Sequence, residues 1–93
     1  MTPHLINRKQ FTQQLLYPHV KKYNAILSDD NEVVLKDKDG QYTKYTGVFL
    51  VKRIGSYQAR SGARNGRILF TSETAVNLVK RLFERYWRDK CYS

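Results

Sequence analysis

Between residues 7 and 27, apolar side chains recur at spacings of three and four: Phe11, Leu15, Leu16, Val20, Tyr23, Ile26 and Leu27, with His19 among them. That period lines them along one stripe of a helix, so a helical segment is expected over 7–27. Asn7 is placed to cap its start. Pro18 falls inside the segment, where its ring removes a backbone donor and disfavours helical geometry at Tyr17. Either two short helices meet at Tyr17–Pro18 or one helix kinks there. Core packing is a sufficient reason for the stripe.

Beyond residue 27 the period changes. Residues 28–31 are a polar break, and Glu32–Lys36 reads as a strand. The Asp39-Gly40 pair suits a tight hairpin turn, and residues 41–46, which carry Tyr42 and Tyr45, are β-prone enough to return as its second arm. Gly47 is expected to end that arm. Residues 48–52, 56–60 and 67–70 then read as a three-stranded antiparallel meander, turning at Arg53-Ile54-Gly55 and at a basic loop over 61–66 that ends in Asn65-Gly66. In the last segment Ala75, Val76, Val79, Leu82, Phe83, Tyr86 and Trp87 share one helical face, while Asn77, Lys80, Arg81, Glu84, Arg85 and Arg88 share the other. Thr71 or Ser72 is the expected N-cap, with Glu73 in the first turn and the helix ending near residue 89. The fold class that follows is α+β: an N-terminal helix, a small antiparallel sheet, and a C-terminal amphipathic helix packed on the sheet. With 93 residues there is room for a single hydrophobic core, hence one domain.

Charge narrows the function classes. The net charge is +9, yet residues 1–40 hold six basic and five acidic groups, whereas residues 41–93 hold eleven basic and three acidic, a net of +8. Self-repulsion of that size favours an anionic partner, and a phosphate backbone is the commonest one, through counterion release. The lone cysteine, Cys91, has no internal disulfide partner and no His or Cys at zinc spacing. The first ten residues lack the layout of a signal peptide, and no apolar run approaches the roughly 20 residues of a membrane helix. A cytoplasmic protein without membrane or metal is therefore expected, small enough to act as a homodimer. Catalysis has little to use: His4 and His19 lack positioned partners, and Asp29, Asp30, Glu32, Asp37 and Asp39 lie where turns need polar residues. No cofactor motif is present.

Residues 46–88 carry a further pattern. Gly47 and Val48 open a strand; Lys52, Arg53, Gly55, Tyr57, Ala59 and Arg60 form a Lys-Arg-x-Gly-x-aromatic-x-Ala-Arg hairpin; Asn65 and Gly66 make a turn, and Phe70, Thr71 and Ala75 lead into a helix. This arrangement resembles the AP2-type DNA-binding domain of plant regulators and of phage and mobile-element proteins, over a little under half of the chain. The resemblance implies a three-stranded sheet backed by a helix, with the opposite sheet face entering the major groove of duplex DNA. Strand alternation then turns Tyr57 and Ala59 toward the helix, and Gln58 and Arg60 outward. Lys52, Arg53, Gln58, Arg60, Arg64 and Arg67 become the expected DNA-contacting residues, with Lys80, Arg81, Arg85 and Arg88 as a second basic face; arginine suits guanine edges and lysine suits phosphate.

The chain departs from that pattern at Phe49 and Val51, which stand where plant members carry Arg or Trp. A strand apolar on both faces is usually buried on both. The helix over 7–27 must also pack somewhere, and on the outer sheet face it would block the DNA surface. Two other readings share some of the same residues. A double-stranded-RNA module has a similar element order but opens its second helix with lysines, where this chain has Ser72-Glu73-Thr74-Ala75. An interaction protein, binding an acidic protein surface and inhibiting or modulating a nucleic-acid-handling host enzyme, would suit the aromatic and basic content, with Tyr86, Trp87, Cys91 and Tyr92 at its contact.

Overall fold

A computed structural model describes residues 8–87 of the chain. Helix α1 spans Arg8–Lys21; strands β1 (Ala25–Leu27), β2 (Glu32–Lys36), β3 (Tyr42–Arg53), β4 (Ser56–Ser61) and β5 (Arg67–Ser72) follow, then helix α2 (Ala75–Tyr86). All five strands form one antiparallel sheet in the order β1-β2-β3-β4-β5. The α+β class stands, but the expected hairpin and three-stranded meander are one continuous five-stranded sheet. Asn7 and Arg88, expected at the outer ends of the two helices, lie outside the described residues.

Two differences from the sequence reading occur at the N-terminal end. Helix α1 runs through Pro18 as one helix, the second of the two expected alternatives, but stops at Lys21 instead of continuing to residue 27. The chain then reverses through Asn24 in the left-handed region (φ 58°), a conformation that asparagine tolerates better than most residues. Ala25, Ile26 and Leu27 therefore form a strand instead of a further helical turn, paired with Leu35, Val34 and Val33. The side-chain amide of Gln13 donates to the carbonyls of Leu27 and Ser28, both at 3.1 Å, and ties α1 to the end of β1.

Gly47 bends the long strand β3 without ending it. Tyr45 faces Val34 and Phe49 faces Glu32, so four steps along β3 match two along β2, a bulge. Gly47 sits at its centre with φ +75°, where a side chain would cost about 1–2 kcal/mol. Its N–H donates to the Glu32 carboxylate at 2.9 Å, and its carbonyl accepts from the Gly62 N–H at 2.8 Å. Thr46 Oγ1 donates to the Val33 carbonyl at 2.7 Å. These bonds replace the ladder pairs that the bulge interrupts, so the strand continues where the sequence alone suggests a stop.

The core lies on one side of the sheet. Leu16 and Val20 of α1 join Val33, Leu35, Val48, Leu50 and Ala59 of the strands and Leu78, Val79, Leu82 and Phe83 of α2 in a single cluster. The Tyr23 ring, just after α1, stacks on Phe83 with centroids 4.7 Å apart and planes 14° apart, and Trp87 meets the same ring edge-on at 4.8 Å. Both helices therefore cover the same sheet face. Strand β5 extends to Ser72, paired with Tyr57, so the α2 cap moves from the expected Thr71 or Ser72 to Thr74. Thr74 Oγ1 accepts from the Asn77 N–H at 3.2 Å, and Glu73 precedes the helix instead of joining its first turn. Leu78 is buried, whereas Val76 and Tyr86 of the expected apolar face are exposed.

Candidate nucleic-acid interface

Strand register assigns each expected contact residue to a face. Leu50 opposes Ala59 and Ala59 opposes Phe70, and these three side chains face the helices. Val51 opposes Gln58, and Phe49 opposes Arg60, which opposes Ile68; this set faces away from them. The outward placement of Gln58 and Arg60 thus agrees with the alternation expected from sequence. On β2 and the first half of β3, Val34 opposes Tyr45 and Lys36 opposes Tyr42, and these continue the same outer face.

Lys52 and Arg67 do not belong to it. Lys52 opposes Tyr57 on the helix-facing side, and its ammonium lies 5.7 Å from the centre of the Tyr57 ring. Arg67 opposes Ser61 and leaves the sheet on the same side as Ala59. Their separation from Arg60 follows from the two-residue period of a strand, which sends neighbours to opposite faces. Arg53 and Arg64 come together: with Thr12, Asn31, Val51 and Lys52 they line one small cavity at the C-terminal end of β3. The loop over residues 62–66 brings Arg64 back toward Val51, Lys52 and Arg53 at the end of β3.

Arg60 is partly committed within the chain. Its Nε and Nη2 donate to Gln58 Oε1 at 3.0 and 2.6 Å, and its Nη1 donates to the Gly66 carbonyl at 3.0 Å. A guanidinium has five N–H donors, so two remain, one on each terminal nitrogen. The one on Nη2 points away from the edge shared with Nε, toward the end of the fork. The side chain is therefore held flat with one pair of donors free to meet a phosphate or a base acceptor.

Aromatic rings interleave with these cations. Tyr45 is 65% exposed and Tyr42 is 38% exposed, with the Lys36 ammonium 5.4 Å from the Tyr42 ring centre. Phe49 is half-buried, and Val34 and Val51 between the polar positions are buried. The apolar character of Phe49 and Val51, set by the sequence against a DNA surface, is thus divided: Val51 is buried and Phe49 is only half-buried. Sequence reasoning gave Lys36, Tyr42 and Tyr45 no role. The hairpin register that puts Lys36 beside Tyr42 is the signal that adds them. Glu32 is the acidic residue of this face, and its carboxylate is turned into the bulge to accept the Gly47 N–H.

The second basic face, on α2, is organised differently. Lys80, Arg81 and Arg85 are exposed, and the guanidinium carbons of Arg81 and Arg85 lie 5.7 and 5.5 Å from the Phe70 ring centre. Stacking on Phe70 orders both side chains at the junction of α2 and β5. Arg88 of this expected face lies outside the described residues.

At the tip of the β2–β3 hairpin, Asp37 Oδ2 accepts from the Thr43 hydroxyl at 2.7 Å, and Oδ1 accepts from the Gln41 and Asp39 N–H groups at 2.9 Å. The Thr43 hydroxyl, then the Gln41 amide, hold this carboxyl below its ordinary value. His19 is half-buried on α1, and its buried Nδ1 has no hydrogen-bond partner. Among the described residues no group of three or more His, Cys, Asp and Glu side chains could hold a metal ion, and no helix is long and apolar enough to cross a membrane. Comparison with family models, with curated proteins and with solved structures finds no match, so the likeness to the AP2-type domain rests on the residues of this chain alone.

Proposed function

We propose that this chain is a non-catalytic DNA-binding module that grips its ligand on the outer face of the sheet. The observation that carries this reading is the packing of both helices on the opposite face. It leaves Gln58 and Arg60 uncovered by either helix, with Tyr45 and Phe49 on the adjoining strand and Arg53 and Arg64 beside them. The net charge of +8 over residues 41–93 supports a polyanion, and the two free donors of Arg60 suit phosphate or base acceptors.

A fluorescence-anisotropy titration with labelled DNA over a range of salt concentrations tests it. Binding should weaken linearly in log affinity against log salt, with a slope of about −0.7 to −0.9 per phosphate neutralised. Replacing Arg53 and Arg64 together with alanine should make that slope shallower by about 1.4 to 1.8, if each neutralises one phosphate. Absence of binding at low salt rejects the reading. A stoichiometric protein partner that survives nuclease and moderate salt would favour the acidic-protein alternative instead.

A further inference from the structure

The form of DNA that fits this face follows from its width and its rings. Adjacent strands lie about 4.8 Å apart, so five strands span about 19 Å from edge to edge. The major groove of B-DNA is only about 12 Å wide. The whole face therefore cannot enter a groove, and a duplex engaging only β4, β5 and the half of β3 over residues 48–53 that pairs with β4 would leave Tyr42 and Tyr45 without a role. A single strand has no such limit, because it lies across a sheet and offers its base planes.

The rings are spaced for this. Tyr45 opposes Val34 and Phe49 opposes Glu32, two residues apart on β2, so the two ring positions are separated by about 6.8 Å along the sheet. That is about twice the 3.4 Å rise per nucleotide of one strand in a stacked duplex, enough for successive bases to part and each take a ring. Directly across from Phe49 stands Arg60, its guanidinium fixed by Gln58 and Gly66 and two of its donors free. Arg53 and Arg64 lie beyond, with the exposed Lys36 on the other flank. The one carboxylate on the path, Glu32, is already hydrogen-bonded to the Gly47 backbone.

We infer that the ligand of the outer face is single-stranded DNA, with successive bases stacked on Tyr45 and Phe49 and the backbone gathered by Arg53, Arg60 and Arg64. This rests on the DNA-binding reading above and specifies its ligand. Base stacking on an aromatic ring tolerates any base, so binding is largely independent of sequence.

Anisotropy with three labelled probes at one salt concentration tests the inference: a 20-nucleotide thymidine strand, a 20-base-pair mixed duplex and a 20-nucleotide uridine RNA strand. The thymidine strand should bind at least tenfold tighter than the duplex. Tyr45→Ala, at a largely exposed position, should weaken thymidine-strand binding by roughly 5- to 100-fold, the range for loss of one stacked base. Tyr45→Phe should restore it, and duplex binding should be unaffected by either change. Duplex binding equal to or tighter than thymidine-strand binding overturns the single-strand assignment while leaving DNA binding intact. An unchanged Tyr45→Ala variant overturns it as well, and a tenfold preference for the RNA strand overturns the choice of DNA. If no probe binds at low salt, the DNA-binding reading itself fails.

Discussion

The open outer face depends on α1 packing with α2, and the Tyr23–Phe83 stack measures that packing directly. Tyr23 follows α1 in the chain, Phe83 is wholly buried in α2, and their rings are nearly parallel at 4.7 Å. A double-mutant cycle with Tyr23→Leu and Phe83→Leu keeps apolar volume at both sites while removing the ring–ring term. Each single change should cost about 1–2 kcal/mol. The coupling energy should be about 0.5–1.5 kcal/mol, the usual worth of an aromatic pair beyond the area it buries. A domain of this length has a total stability of about 5–14 kcal/mol, so even the double variant should remain folded. Urea denaturation followed by circular dichroism gives all four free energies, with midpoint shifts of about 1 M for the single variants. A coupling below about 0.4 kcal/mol, within the range of independent sites, would refute the stack.

Three further outcomes follow from other parts of the molecule. A methyl group at Gly66 would collide with the Ser61 carbonyl, so Gly66→Ala should lower stability by about 2 kcal/mol or more in the same urea assay, and it should weaken DNA binding by displacing the carbonyl that holds Arg60. Asp37 has its folded-state pKa lowered by Thr43 and Gln41, so its contribution is present at neutral pH and lost as pH falls through that depressed value; the pH-dependent loss in the acid range should vanish in Asp37→Asn, read by amide exchange at Gln41. Arg60→Ala should weaken binding while Lys80→Ala changes it little, because Lys80 lies on exposed α2 behind the sheet; equal losses in anisotropy would move the interface toward the helix.

Much of the fold is legible in the sequence because its period is. The alternation across Gln58, Ala59 and Arg60 and the stripe of Val79, Leu82 and Phe83 give the right faces, since each is fixed by local geometry that tertiary contacts do not override. The errors come from places where two readings share one pattern. Ile26 and Leu27 continue the spacing of α1, yet a short apolar run serves equally as a strand, and the positive φ at Asn24 that decides between them has no hydrophobic signature. Gly47 reads as a stop because the Glu32 and Gly62 groups that bridge the bulge lie fifteen residues away on either side. The candidate site was divided by the same rule that found it. Lys52 and Arg53 are adjacent in sequence, so a strand must send them to opposite faces, whereas Lys36 and Tyr42 meet through a hairpin register that composition does not reveal.

The strand order carries a consequence for how the molecule forms. Each strand pairs only with its neighbours in sequence, across connections of four, five, two and five residues. Loop closure is therefore cheap at every step of the sheet, and the pairing contacts are local by the standards of β-rich domains. The most distant closure is the meeting of α1 with α2, which encloses the entire sheet between its two partners in sequence. The meander should thus assemble early and fast, with the docking of α1 on α2 completing the core last. In kinetic terms, substitutions at Tyr23 should mainly accelerate unfolding and leave the folding rate almost unchanged.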